Sequence, residues 1–109
     1  MTVNVAGPNQ IVFVSGEVAL GVFNIAGGAS GLSLALCRTS PDGLVDNGND
    51  WLGGLQVPNN TRLPFSLSTR FTSLPAGAYQ VGICGRVSNG AANWNNNEWS
   101  RVTVIVAQQ

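Results

Sequence analysis

Apolar residues in this chain recur at alternate positions or in short runs, and no window keeps the period of an amphipathic helix. β-Branched and aromatic residues fill these runs, and clusters of Gly, Pro and Asn separate them. The predicted strands cover residues 10–14, 17–25, 32–38, 62–72, 78–86 and 99–107. This pattern of six to eight short strands predicts an all-β chain, and we expect a single antiparallel β-sandwich or jelly-roll-like domain over residues 1–109.

An internal strand–loop–strand repeat is visible in the sequence. In the first copy a strand ends near Cys37 and a polar loop leads to Trp51. In the second copy a similar strand ends near Cys84 and a polar loop leads to Trp99. We expect each copy to form a hairpin, and we expect both tryptophans to be buried in the core at an end of the sandwich.

An arginine and an acid occupy matching places in the two copies: Arg38 and Asp50 in the first, Arg86 and Glu98 in the second. If the strands of each hairpin pair, Arg38 lies near Asp50 and Arg86 near Glu98, and each pair holds a long loop closed. The alternative is that Asp50 and Glu98 are the acid pair of a glycoside hydrolase. The arginine beside each acid disfavours that interpretation.

The two repeated strands carry large residues on one face and small or uncharged residues on the other. The second face is formed by Ser33, Ala35, Cys37, Gln80, Gly82 and Cys84. Small side chains let another layer approach closely. We expect that layer to be a neighbouring subunit or, alternatively, a second buried layer of the same domain.

The two cysteines, Cys37 and Cys84, would lie side by side if their strands are neighbours, and a disulfide would then be geometrically allowed. The alternative is two buried thiols that act as small apolar residues. Residues 1–8 contain no basic segment followed by a long apolar run, so we expect no signal peptide. For that reason the free thiols are the expected state, and the chain is either made in a cytosol or is a domain of a larger protein.

Only 9% of the residues are charged, and the net charge is zero with five arginines, no lysine and no histidine. Such a neutral surface favours a protein that packs against copies of itself. Five scattered arginines do not form a phosphate-binding face, which excludes a nucleic-acid partner. The apolar runs are too short to span a membrane, so no membrane partner is expected.

Candidate cofactor chemistry is limited to the loop at residues 42–50, where carboxylates and amides alternate with glycines as in a calcium loop. The spacing lacks the distal glutamate of an EF-hand, and a turn stabilised by Asn and Asp is the alternative. Without histidine the chain has no zinc site and no usual base for a Ser or Cys nucleophile. We therefore expect no cofactor, no metal and no enzymatic activity.

The segment containing Asn93, Trp94, Asn95 and Asn96 is the candidate ligand-binding loop. An aromatic ring flanked by amides is what a sugar-binding surface uses, with the ring under the sugar's apolar face. The alternative is a hairpin tip, because Asn tolerates left-handed backbone geometry. Since Trp51 and Trp99 are expected in the core, Trp94 is the exposed aromatic residue that this pattern predicts.

The strings Tyr79–Arg86 and Asn93–Ser100 resemble small β-sandwich domains of bacteriophage capsid decoration (cement) proteins and tail-fibre tips. The resemblance covers the C-terminal third and part of the Cys37–Trp51 unit. It implies a non-enzymatic homotrimer on a virion surface, assembled in the host cytoplasm, with capsid or fibre proteins as partners. A carbohydrate-binding module or receptor-binding tip that recognises glycans through Trp94 is the alternative, and its location would be extracellular.

Overall fold

A computed structural model describes residues 1–43, 45–46 and 51–108, and this part of the chain folds into eight strands and one 3-10 turn. The strands are β1 Thr2–Val5, β2 Gln10–Val22, β3 Ala29–Thr39, β4 Val45–Asp46, β5 Leu52–Val57, β6 Thr61–Phe71, β7 Gly77–Val87 and β8 Ser100–Gln108; the turn is Ala91–Asn93. The predicted all-β antiparallel sandwich is confirmed. Within the described residues, no helix is long and apolar enough to cross a membrane.

Two antiparallel sheets form the sandwich. The five-stranded sheet has the order β1-β7-β3-β4, with β5 also paired to β3, and the three-stranded sheet has the order β6-β2-β8. The long strand β2 pairs with β6 along Val12–Val22 and with β8 along Gln10–Val18. Strand β1 borders β7, and β8 borders β2 at an edge of the other sheet. Residues of β7 and β8 line one cleft, so these two strands lie at the same side of the sandwich.

The alternation predicted for β3 decides which residues form the core. Leu32, Leu34 and Leu36 are all at most 6% exposed and pack between the sheets. Gly16 of β2 faces Leu36, and a Cβ added there would lie 2.8 Å from Leu36 Cδ2 and 3.0 Å from Ile83 Cγ1. The missing side chain thus lets the two sheets approach closely at the middle of the sandwich.

The two copies of the repeat do not form equivalent hairpins. The first stays in the five-stranded sheet, where Leu34 pairs with Leu52, whereas the second crosses from β7 in that sheet to β8 in the other. The prediction that Trp51 and Trp99 are both buried in the core is wrong. Trp51 and Trp99 are half-buried, and the guanidinium groups of Arg86 and Arg101 lie 4.3 Å and 4.9 Å from their respective ring centroids.

Cys37 and Cys84 form a disulfide between β3 and β7, with their Cα atoms 6.0 Å apart. The strand register explains it, because Ala35 pairs with Cys84 and Cys37 with Gly82, which makes the two cysteines diagonal neighbours on one face. The expectation of free thiols was wrong, since it rested on the N-terminal sequence and not on the register. Ala35 is 0% exposed within the single chain, so at this position the small-residue face is already covered.

Candidate functional site

The predicted arginine–acid pairs are rearranged in the structure. Arg38 Nη2 contacts Asp46 Oδ2 at 2.6 Å, and Asp50, its predicted partner, lies outside the described residues. Glu98 Oε2 contacts Arg62 Nη1 at 2.8 Å instead of Arg86. The prediction for Arg86 is wrong because its strand and the segment of Glu98 belong to different sheets.

The predicted calcium loop at residues 42–50 lies largely outside the described residues. One of its described carboxylates, on Asp46, is held by Arg38 across the β3–β4 pair. Among the described residues, no group of three or more His, Cys, Asp or Glu side chains could hold a metal ion. The described part of the loop thus gives Asp46 a role in fastening β4 to β3.

The asparagine-rich segment runs beside the end of β2 and extends its hydrogen-bond ladder. Asn95 Oδ1 accepts a 2.8 Å bond from Phe23 N–H, and Asn95 Nδ2 donates a 3.0 Å bond to Phe23 C=O. Asn97 Oδ1 accepts from Gly21 N–H at 3.2 Å, and Asn96 N–H donates to Gly21 C=O at 3.1 Å. Side-chain amides here take the place of strand backbone, so Asn95 and Asn97 have structural roles.

Arg62 fastens the same segment from the neighbouring strand β6. Its Nε donates to Asn96 C=O at 3.0 Å and its Nη2 to Asn96 Oδ1 at 2.6 Å, while Nη1 contacts Glu98. A planar guanidinium can make three such contacts at once because its donors have fixed directions. The loop between β7 and β8 is therefore held against both β2 and β6.

Trp94 is 8% exposed and packs in the core with Val22, Leu32 and Val57. Its indole Nε1–H is buried and has no hydrogen-bond partner among the described residues. The prediction of an exposed Trp94 ring is wrong, because the turn at Ala91–Asn93 directs the chain inward. A ring in this position offers no flat surface to a sugar.

A cleft of about 660 Å³ opens between the two sheets at the side formed by β7 and β8. Its apolar lining includes Leu20, Leu34, Ile83, Val87, Trp94 and Val102. Among the described residues, β1 pairs with β7 from Gly77 to Val81, and β8 pairs with β2 alone. The volume lies within the ~300–1,000 Å³ range of ligand sites.

The edge of β7 beside the cleft carries unpaired backbone groups. Val81 exchanges two hydrogen bonds with Met1, at 2.8 Å and 3.1 Å. In an antiparallel strand the bonding direction alternates with each residue. The N–H and C=O groups of Ile83, Gly85 and Val87 consequently point toward the open side, without a partner in the described structure.

The outer edge of β8 likewise has no strand partner among the described residues, and it is mainly apolar. The bond from Ala19 N–H to Trp99 C=O fixes the register, so Val102, Val104 and Val106 turn their backbone groups away from β2. Ile105 is 62% exposed beside them. Neither edge was predicted from the sequence, although the uncharged, mainly apolar residues 102–107 are a recognisable signal of an unprotected strand edge.

No protein-family model matches this chain, and no curated protein or solved structure is significantly similar to it.

Proposed function

We propose that this protein is a non-enzymatic structural component of a virion surface, a capsid decoration or fibre protein that forms a homo-oligomer and acts through protein–protein contacts. The observation that carries this proposal is the outer edge of β8, which pairs with no strand in the part of the chain that the structure describes. Ile105 and Val106 are 62% and 38% exposed there, and residues 102–107 contain no charge and no proline. Monomeric proteins usually protect such an edge with charges, prolines or bulges, whereas an unprotected edge pairs with another chain.

The disulfide supports a location outside a reducing cytosol. Bonds such as Cys37–Cys84 persist in oxidising surroundings, which include secreted proteins and the surfaces of virions and cells. The low content of charged residues, 9%, is consistent with a protein that spends its time in an assembly. Together these features favour a particle surface over a free cytosolic enzyme.

The ionic contacts support a structural role for the charged side chains. Arg38 and Asp46 join β3 to β4, and Arg62 and Glu98 join β6 to the loop before β8. Each contact holds a connection between strands. Neither acid lines the cleft between β7 and β8, where a reaction would need its polar groups.

Native mass spectrometry at micromolar concentration tests the assembly part of the proposal. We expect a closed homo-oligomer, a trimer, and we expect Ile105→Lys to shift it to monomer because a lysine on an edge strand opposes pairing. The matched control is Phe23→Lys, which removes an apolar side chain of similar exposure, 63%, away from this edge. A monomeric wild type, or equal oligomer content in both variants, would overturn the proposal.

Density-gradient centrifugation tests whether the protein is located on virions. The sample is a lysate of the cells in which the protein is naturally produced. Antibodies against the purified protein should detect it in the particle fractions, and mild denaturant should release it. Detection only among slowly sedimenting soluble proteins would contradict a virion-surface role.

A further inference from the structure

The connection between β7 and β8 contains an asparagine followed directly by a glycine, Asn89 and Gly90, and both residues are exposed. Among the described residues, neither the Asn89 side chain nor the Gly90 N–H makes a hydrogen bond. The carboxamide carbon of an asparagine and the next backbone nitrogen are the two atoms that join when asparagine cyclises. At this position no contact within the described chain holds these two atoms apart.

Gly90 is anchored through its carbonyl group and not through its nitrogen. Its C=O accepts a 2.9 Å hydrogen bond from Asn93 N–H, at the start of the turn Ala91–Asn93. Its φ of 73° and ψ of 29° lie in the left-handed region, which glycine adopts readily. Because glycine has no Cβ, the side-chain carbon of Asn89 can approach the Gly90 nitrogen without obstruction from that residue.

Other loop asparagines are followed by a backbone nitrogen that is already engaged. The N–H after Asn24 donates to Asn59 Oδ1, and the N–H groups after Asn95 and Asn97 donate to carbonyl groups of β2. A bonded nitrogen must lose its hydrogen bond before it can attack, so the free energy of that local opening slows the reaction. The nitrogen after Asn89 needs no such opening.

We propose that Asn89 is a site of spontaneous deamidation and isoaspartate formation in the folded protein. The Gly90 nitrogen attacks Asn89 Cγ and forms a new C–N bond, while its proton passes to solvent. The bond between Cγ and Nδ2 breaks, and Nδ2 takes up a proton and leaves as ammonia. The product is a five-membered succinimide ring, and nothing is oxidised or reduced.

Water is the co-reactant of the second step, and two products arise because it can attack either carbonyl carbon of the ring. Attack at Cγ breaks the bond from Cγ to the Gly90 nitrogen and leaves an aspartyl residue at position 89. Attack at the main-chain carbonyl carbon breaks its bond to that nitrogen and leaves an isoaspartyl residue, whose backbone runs through Cβ and Cγ. Each product adds one negative charge to a chain whose net charge is zero.

The isoaspartyl product lengthens the main chain by one carbon shortly before the turn that leads to Trp94. The residues around this point, Ser88 to Gly90, are all exposed, whereas Trp94 is 8% exposed and packs in the core. The added carbon is therefore accommodated outside the core, and we expect the modified protein to stay folded. The reaction needs no partner, so this proposal is independent of the proposed virion role.

Mass spectrometry of the aged protein tests the assignment. The purified, disulfide-bonded full chain is incubated at mildly alkaline pH, then reduced, unfolded and cut by trypsin. Cleavage after Arg86 and Arg101 releases residues 87–101 as one peptide. That peptide contains Asn89 together with Asn95 and Asn97, so fragment ions compare the three positions within one molecule.

The same digest separates the second Asn-Gly pair of the sequence. Asn47 and Gly48 lie outside the described residues, and cleavage after Arg38 and Arg62 places them in a different peptide. A sample that is digested without ageing gives the deamidation caused by the digestion itself.

We expect position 89 to deamidate at least about tenfold faster than Asn95 or Asn97 in the folded protein, because those two require local opening. Incubation in guanidinium chloride separates this effect from the effect of the following glycine. Unfolding should accelerate the reaction at Asn95 and Asn97 and change the rate at Asn89 by less than about threefold. Equal rates at the three positions in the folded protein, or a larger acceleration of Asn89 on unfolding, would overturn the proposal.

Two further measurements test the cyclic intermediate. In Asn89→Gln the same attack would close a six-membered ring, which forms far more slowly, so the peptide of residues 87–101 should keep its mass. In the wild type, the isolated aged peptide should accept methyl groups from an isoaspartyl methyltransferase, whereas the corresponding peptide of Asn89→Asp, treated without ageing, should not. Deamidation that yields aspartate alone, or an equal mass change in Asn89→Gln, would contradict attack by the Gly90 nitrogen.

Discussion

The side chain of Asn95 pairs with the backbone of Phe23 as a strand residue would, accepting from its N–H at 2.8 Å and donating to its C=O at 3.0 Å. Phe23 lies directly after β2, where no backbone of β8 is available. One amide therefore extends the three-stranded sheet past its regular end and fixes the course of the loop that carries Trp94.

Replacing Asn95 with Ala should destabilise the protein by about 1–2 kcal/mol, because two hydrogen bonds of about 0.5–1.5 kcal/mol each are lost at a partly solvated position. Asn95→Asp, which keeps the acceptor and loses the donor, should fall between wild type and Ala. Urea unfolding measures both. Asn89→Ala, in the exposed part of the same connection, is the control and should stay within ~0.5 kcal/mol of wild type.

Arg62→Lys should cost more than Glu98→Gln. The lysine cannot make the paired contacts with Asn96 C=O and Oδ1, so we expect a loss of about 1–2 kcal/mol. The Arg62–Glu98 ion pair is exposed, and Glu98→Gln should cost less than about 1 kcal/mol. Equal losses in urea unfolding would mean that the ion pair, and not the contacts with Asn96, holds the loop.

The fold class could be predicted from the sequence because the alternation of Leu32, Leu34 and Leu36 indicates the face of β3 that packs between the sheets. The pairing of distant strands could not. The repeat suggested two equivalent hairpins, but the second copy crosses from β7 in one sheet to β8 in the other. A local sequence pattern contains no information about which distant strands pair with each other.

The candidate site was hard to predict for a similar reason. The same residues that suit a sugar-binding loop, Trp94 and its neighbouring asparagines, also suit a loop that completes a sheet. Composition does not distinguish an amide that faces solvent from one that pairs with Phe23. The edges of β7 and β8 are free because no described strand pairs with them there. Such an edge can be recognised only when the complete strand order is known.

Gly16→Val should destabilise the protein by about 1–3 kcal/mol through overpacking, because even the Cβ would lie 2.8 Å from Leu36 Cδ2. Gly82→Val is the matched control, since a Cβ at Gly82 meets nothing within 4 Å and valine favours a strand. Thermal or urea unfolding of both variants makes the comparison. A Gly16 variant as stable as the Gly82 variant would mean that the sheets separate easily at this point.

Reduction of the disulfide should remove about 4 kcal/mol of stability. The bond joins residues separated by 47 positions, and its loss returns that loop's conformational freedom to the unfolded chain. The double variant Cys37→Ala and Cys84→Ala should unfold near the midpoint of the reduced wild type, because Cys37 is only 8% exposed and alanine fits a small buried site.

The reductant itself supplies the control for this prediction. Dithiothreitol should lower the unfolding midpoint of the wild type and leave that of the alanine variant unchanged, with thiol titration confirming complete reduction. If the fully reduced wild type unfolded at the oxidised midpoint, the register of β3 against β7 would be fixed by its backbone and core contacts alone. The disulfide would then add nothing to the stability of the strand pair that forms one wall of the cleft.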